Sequence, residues 1–534
     1  MKNTFRKRWL FLFITLLLSF IVVGCDIFID SSTIDSDTTD STPTYIPLHI
    51  LTINDLHGYI EQDDDGRYGL SNMAYLIDEI RNQDNLDNVV LIGNGDMFQG
   101  TFISNETYGL SVIDAMNAMG FDAMGIGNHE FDWGIEKILQ YFDGNPDNGE
   151  ANFPLLNANI YNRSDNSLLT IEDGNVLESI VIEKQGIEVG IISYIGDVYD
   201  SISYNMVSDY YFNLDIAESV KRIGSKMKSD GVDVIIVNIH DGNRSKIENF
   251  QFNKQLAKLK DDEGNYIVDA VINGHAHWRQ TGEIIRLGGS PMPLVQAGSY
   301  GTHFGHITLH YNVKTKRIVE TYVDIVDVKE AGYNYHESVE KIIQEYVDKL
   351  GNEPLIEAGE TIHNTGQFYD WIGNVMLKAT GSDIAYHNNG GVRGTGSIVE
   401  GEDVTISQIF EIVPFNNSIF VFEATYEEII SLENDSLFRQ ASPNFEPGGT
   451  YQVAVISYVF YNYDEFKPFQ NRGIDTELLI RDLLVEDLKE RARFGELFKP
   501  SRDHYPFIEQ KWFPDHSFVQ YNVNSYCEYL QLAV

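Results

Sequence analysis

Residues 125–134 read GIGNHEFDWG: an amide, an imidazole and two carboxylates set between glycines, directly behind the apolar run DAMGIG (122–127). Buried unpaired in an ordinary core, Asn128, His129, Glu130 and Asp132 would be costly. On a solvated loop any polar residues would serve. The same grammar recurs along the chain. IPLHILTI (46–53) runs into NDLHG, NVVLIG (88–93) into NGDMFQG, VDVIIVNI (232–239) into HDG, and VDAVING (268–274) into HAHW. Each is an apolar run with strand character that ends in His, Asp or Asn next to Gly. Helix-like stretches such as SNMAYLIDEIRNQ (71–83) and NLDIAESVKRIGSKMKSDG (213–231) lie between them. Strands alternating with helices predict an α/β layered fold, whose ligand sites gather outside the carboxyl ends of strands.

The polar residues at these strand ends share a destination. Asp55 and His57 stand two apart, as do His275 and His277, and in an extended segment such residues point the same way. Asp96, Asn128 and His240 arrive from three other strand ends. Imidazole nitrogen with carboxylate or amide oxygen, and no thiolate, suits Zn²⁺, Mn²⁺ or a similar divalent ion. Seven donors exceed what one tetrahedral zinc takes and suit two metals sharing a carboxylate.

Length and composition bound the rest. A chain of 534 residues is too long for one hydrophobic core and predicts two or three domains. Its formal net charge of −42 argues against nucleic acid as a partner, because phosphate backbones are held by Lys and Arg. The same charge repels an anionic substrate unless cations or local arginines reverse the field. At the N-terminus, Lys2, Arg6, Lys7 and Arg8 precede the apolar run LFLFITLLLSFIVV (10–23) and then Gly24–Cys25. This is a targeting segment in form, and it resembles the lipobox of bacterial lipoproteins, which implies a signal peptide over 1–25 and lipidation of Cys25. The alternative is an uncleaved membrane anchor, for which the apolar run is short. Residues 26–44 read as a polar tether. Cys527 has no partner but Cys25, so no disulfide is expected within the exported chain.

With these blocks assembled, the sequence resembles the 5′-nucleotidase family of calcineurin-like metallophosphoesterases, from about residue 47 to at least residue 466. NDLHG, GNGD, GNHEFDWG, NIHDG and GHAH stand in family order, GNHEFDWG being the most specific. The resemblance implies an α/β/β/α metallophosphoesterase sandwich (45–327), a linker helix (328–352) and a C-terminal α/β substrate-binding domain (353–534). It implies that Asp55, His57, Asp96 and His277 hold one metal, and that Asp96, Asn128, His240 and His275 hold the other. His129 and Asp132 match the family's catalytic pair. Glu130 reads as structural. In the second domain GSDIAYHNNGGVRG (381–394) resembles the family's nucleotide-recognition block and puts Asn388 and Arg393 at substrate-contacting positions. EIVPFNNSIF (411–420) and VISYVFYNYDEF (455–466) put Phe415 and Tyr458 where two aromatics sandwich a base, and Asp464 where a carboxylate holds the ribose. Stacking between rings suits any base.

The second domain also departs from the family pattern. Gly366 stands where an arginine is usual, Ser397 where some members add another, and Asn462–Tyr463 and Glu465 replace glycines around Asp464. Fewer arginines weaken the neutralisation of a phosphate. The expected activity is hydrolysis of nucleoside 5′-monophosphates to nucleoside and phosphate, by in-line attack of water activated on two divalent ions, Zn or Mn. A UDP-sugar hydrolase or a 2′,3′-cyclic-nucleotide phosphodiesterase using the same metals is the alternative, and a non-catalytic surface binding lipoprotein a third reading. The expected location is outside the cytoplasm, anchored by lipid at Cys25.

Overall fold

The computed structural model describes residues 45–500 apart from 63–65, 67, 84–86, 172–173, 243–244, 394–397, 433 and 443–444. The expected signal peptide, the tether, Cys25, Ser397 and Cys527 lie outside the described residues.

Two sheets stack face to face in the first part of the chain. One has seven strands, in the spatial order Arg317–Asp327, His303–Asn312, Tyr45–Ile53, Val89–Asn94, Ala123–Gly125, Leu155–Leu156, Val176–Leu177. The other has six, in the order Arg279–Ile285, Pro291–Ala297, Ala270–Asn273, Val234–His240, Ile187–Ile195, Ser179–Lys184. Strand alternation explains the layering. Leu48 and Ile50 pack into one apolar cluster with Ile191, Val234 and Ile236 of the opposite sheet. Leu51 and Ile53, one residue out of phase, pack instead with Met73, Ile77 and Met116 of the helices Leu70–Gln83 and Leu110–Met119. Ile192, Ile235 and Val237 likewise face Val220, Ile223 and Met227 of the helix Ile216–Asp230. The result is an α/β/β/α sandwich.

The five motif-bearing strands fall into two parallel groups. Tyr45–Ile53, Val89–Asn94 and Ala123–Gly125 are neighbours in the first sheet, and Val234–His240 and Ala270–Asn273 in the second. Their carboxyl ends therefore open on one edge of the sandwich. Polar stitches cross between the sheets there. Asn94 Nδ2 donates to the Ile239 carbonyl (3.2 Å) and Asn238 Nδ2 to the Gly93 carbonyl (3.3 Å).

The helix Glu337–Leu350 follows, and its Val339 and Ile343 bury against the helical layer of the first sheet. Beyond it a five-stranded sheet runs in the order Leu437–Ala441, Ile384–Asn388, Thr450–Ile456, Ser418–Thr425, Ile474–Leu479. The helices Tyr369–Thr380 and Ile480–Arg493 pack on this sheet around Trp371, whose indole N–H donates to Asp487 Oδ2 (2.9 Å). No helix among the described residues is long and apolar enough to cross a membrane.

Candidate metal centre

The strand ends deliver two overlapping clusters. Asp55, His57, Asp96 and His277 offer ligand atoms within 4.8 Å of one another, and so do Asp96, His240 and His275. Asp96 belongs to both. Asn128 joins the second cluster, its Oδ1 lying 3.2 Å from His240 Nε2 and 2.8 Å from His275 Nδ1. His275 and His277, two residues apart, thus serve different clusters.

The pairs do not converge because the chain is extended. Asp55, His57, Asp96, His275 and His277 all have left-handed backbone, with φ between 52° and 65°. Non-glycine residues pay about 1–2 kcal/mol each for that conformation, which persists where surrounding contacts impose it. Those contacts are visible. Backbone amides of Asp55, His57 and Gly58 donate to the carbonyls of Gly95, Asp96 and Met97, and the His275 amide donates to the Asp55 carboxylate (3.0 Å). Glycines allow the loops to touch: a Cβ on Gly127 would lie 2.4 Å from Asp96 Oδ1, and one on Gly95 2.5 Å from the Gly127 nitrogen.

Ring orientation shows that the donors fit divalent cations. His57 Nδ1 donates to the Gln99 carbonyl (3.0 Å), leaving Nε2 bare, and that Nε2 faces His277 Nε2 at 3.1 Å. Burial and the His129 charge hold His57 down at about 3, so at neutral pH it presents a lone pair. His275 is held down at about 4 by burial and by His240. His240 Nδ1 donates to the Asn94 carbonyl (2.6 Å) and turns Nε2 onto Asp96 Oδ2 (3.1 Å). Nitrogen lone pairs, carboxylates and an amide oxygen aimed at common points are a donor set for hard-to-borderline cations.

His129 stands beside this set. It opens the short 3₁₀ turn His129–Phe131, its amide donates to Asp96 Oδ1 (2.8 Å), and its Nδ1 donates to Asp132 Oδ2 (2.7 Å). Burial opposes its charge, but Asp132 and Asp96 outweigh burial and raise it to about 9. With Nδ1 occupied, Nε2 is the atom left for a substrate. Glu130 turns inward instead, accepting from the amides of Asp96 (2.9 Å), Met97 (2.8 Å) and Gly127 (2.6 Å).

The C-terminal region reaches the same place. Phe415 stacks on the His129 ring, with centroids 5.6 Å apart and planes 21° off parallel, and the Arg393 guanidinium lies 5.4 Å from the Phe415 centroid. Tyr458 is half-buried within electrostatic reach of Asp132 and Arg393. Asn388 is buried at the end of its strand, with Oδ1 unpartnered. Asp464 is not brought into this group by any described contact. It is exposed, and its carboxylate pairs with Lys467 one turn on (2.6 Å). With Tyr463 and Glu465 in place of glycines, the residues from Asp464 form a 3₁₀ turn, Asp464–Phe469.

Two tyrosines that sequence reasoning passed over also line the site. The Tyr300 ring packs 5.5 Å from His57 and 5.2 Å from His277, and Tyr59 lies 4.9 Å from Tyr300. Tyr300 has φ 59°, strained for an aromatic residue. Burial and the Glu411 carboxylate push the Tyr59 phenol up to about 12. Adjacency was the available signal, since Tyr59 directly follows NDLHG.

Comparison with known proteins agrees with this architecture. Residues 48–279 match the calcineurin-like phosphoesterase family, and residues 356–432 the 5′-nucleotidase C-terminal domain. The chain is 26% identical to an apyrase of Tabanus yao over 78% of its own length and 77% of the relative's. It is 25% identical to a 5′-nucleotidase of Mus musculus, covering 86% and 82%. Three other relatives share less of their length with it, 29–40%. A 5′-nucleotidase precursor from Thermus thermophilus has the same fold, with a TM-score of 0.66 at 20% identity over 83% of this chain and 96% of that one. Two family matches in order, and a dinuclear donor set at the predicted strand ends, lead to one assignment: the chain belongs to the 5′-nucleotidase family of calcineurin-like metallophosphoesterases, hydrolases that work with two divalent metal ions.

Proposed function

We propose that this chain hydrolyses nucleoside 5′-monophosphates to nucleoside and phosphate. The observation that carries the reading is the stack of Phe415 on His129, which sets an aromatic surface for a base against the dinuclear donor set. Asp55, His57, Asp96 and His277 would hold one ion, and Asp96, Asn128, His240 and His275 the other. Two divalent ions, Zn or Mn by donor type, would supply there the activation of a water nucleophile and the neutralisation of phosphate charge. Asn128 ligates through a neutral oxygen and leaves that positive charge uncancelled. His129, kept protonated by Asp132, presents Nε2–H to the phosphoryl group and supplies a proton to the leaving oxygen. Phe415 and Tyr458 take the two faces of the base. Arg393 and Asn388 supply donors to the rest of the nucleotide. The ribose contact expected of Asp464 would require its turn to reorient.

A second reading, hydrolysis of a nucleotide sugar or a 2′,3′-cyclic nucleotide, is favoured by the missing arginine at Gly366, since a phosphodiester carries less charge than a monoester. The deciding experiment measures phosphate release from AMP and other 5′-nucleotides, formation of UMP and glucose 1-phosphate from UDP-glucose, and opening of 2′,3′-cyclic AMP to the adenosine monoester, with several divalent ions. His129→Ala is assayed alongside, and a loss of about 10²–10⁴-fold is expected of a general acid. Hydrolysis of none of the substrates would favour a binding role, and an unchanged His129→Ala would remove His129 from the mechanism. The cell-surface placement rests on the lipobox-like Gly24–Cys25. It predicts that Cys25→Ser moves the protein out of the membrane fraction.

A further inference from the structure

Phe415 meets His129 across an interface between two distant stretches of chain, and one side chain ties that interface to the metal centre. Gln99 is 2% exposed, and its Nε2 donates to the Pro414 carbonyl at 2.7 Å. Its own carbonyl accepts Nδ1–H of His57 (3.0 Å), the bond that fixes which His57 nitrogen is free. One residue therefore touches a predicted metal ligand through its backbone and the segment before Phe415 through its side chain. The Pro414 carbonyl is held from the other side by Arg481 Nη1 (2.9 Å). Arg481 in turn lies 3.7 Å over the Phe410 ring, and Phe410 packs edge-on to Phe102 (5.0 Å). Gln99 is the donor to Pro414 that comes from the metal-bearing side. A carbonyl gripped by two donors leaves Phe415, the next residue, little freedom to swing.

We propose that Gln99 is a positioning residue that sets Phe415 over the metal centre, and so couples recognition of a ring-bearing substrate to the phosphate site. The inference rests on the nucleotidase reading for its substrate, but its structural half stands apart from that. A hydrogen bond of ordinary strength gives about a three- to ten-fold effect.

The test compares two substrates that share ribose and phosphate and differ in the base, AMP and ribose 5-phosphate. Gln99→Met keeps the bulk and removes the donor, and Gln99→Asn serves if the first variant folds poorly. The expected result is a three- to ten-fold rise in KM for AMP with kcat little changed, and ribose 5-phosphate kinetics unaltered. Equal losses on both substrates, or no change on either, would overturn the proposal. Amide hydrogen exchange over residues 410–417 gives a readout independent of activity. Faster exchange in the variant is expected, and unchanged protection overturns the inference even where AMP is not a substrate. Wild-type chain inactive on AMP would instead refute the proposed function.

Discussion

At the scale of single residues, the centre is built by giving chemically similar side chains different surroundings. Burial holds His57 and His275 at about 3 and 4, ready to ligate. It pushes His240 the same way, but the Asp96 carboxylate 3.1 Å away and the Asn94 carbonyl outweigh burial and raise His240 to about 10. His240 in protein stripped of metal is therefore protonated at pH 8, and a metal can take its Nε2 only by expelling that proton. The sign follows. A folded pKa above the unfolded value near 6.5 means that the ion pair with Asp96 stabilises stripped protein fully below about pH 6.5, and that this is lost as pH rises through about 10. Metal binding at pH 8 should then release about one proton from this site. Titration calorimetry in two buffers of different ionisation enthalpy measures it, and a heat independent of buffer would refute it. That these side chains gather in one place was readable from sequence, because few other roles explain Asp, Asn and His repeatedly placed behind apolar strands. The placing of Gln99, Tyr59 and Tyr300 was not, because glutamine and tyrosine are common in loops and only the folded geometry brings them to this cluster.

Among the elements, the strand ends matter more than the strands. Apolar runs of strand length and flanking glycines made the five strands legible, and parallel pairing then put their ends on one edge. What the pattern did not reveal was how residues two apart come to serve two clusters. The reason is the left-handed backbone at five of the donor residues, a conformation that tertiary contacts impose and local propensity opposes. Glu130 is the clearest of those contacts. Its carboxylate, 0% exposed, gathers amides from the Asp96 loop and the Asn128 loop, with burial and Asp96 pushing it up to about 7. Glu130→Ala leaves three amides without this acceptor. A loss of about 3 kcal/mol or more in stability is expected, at roughly 1–3 kcal/mol per unsatisfied buried donor. Metal affinity should fall about 10–100-fold, the usual effect of losing a group that orients ligands. Chemical denaturation and competitive metal titration check both, and Glu130→Gln, which keeps one accepting oxygen, should fall between. Wild-type metal affinity in a folded Glu130→Ala would show that the two loops are set by other contacts.

Over the whole molecule, the acidic balance and the joining of two regions decide how a phosphate could be held. A chain of net charge −42 must reverse its field locally to hold a phosphate, and the groups the site offers for that are Arg393, a protonated His129 and a donor set for two divalent cations. The departures from the family pattern bear on the joint. Asn462, where glycine is usual, reaches into the first region: its Nδ2 donates to the carbonyls of Ile202 (2.7 Å) and Asp200 (3.3 Å), while its Oδ1 accepts from the Tyr204 amide (3.4 Å). Tyr461 and Tyr204 meet beside it at 6.3 Å. A clasp on this edge, with Gln99 and Pro414 on another, favours the arrangement that holds Phe415 against the metal centre. A substrate that binds only that arrangement has its apparent affinity reduced in proportion as the arrangement is depopulated. Of these three hydrogen bonds only the one to Ile202 is short, and its loss at about 0.5–1.5 kcal/mol shifts the balance about three- to ten-fold. Asn462→Gly should therefore raise KM for the nucleotide about three- to ten-fold. It should leave kcat unchanged or higher, since opening for product release becomes easier. Asn462→Ala separates the lost contact from the added backbone freedom of glycine, and should show the same rise. Steady-state kinetics on both variants decide it: an unchanged KM would mean that these bonds are replaced by water at no net cost, and a fall in kcat alone would point to damage at the metal centre.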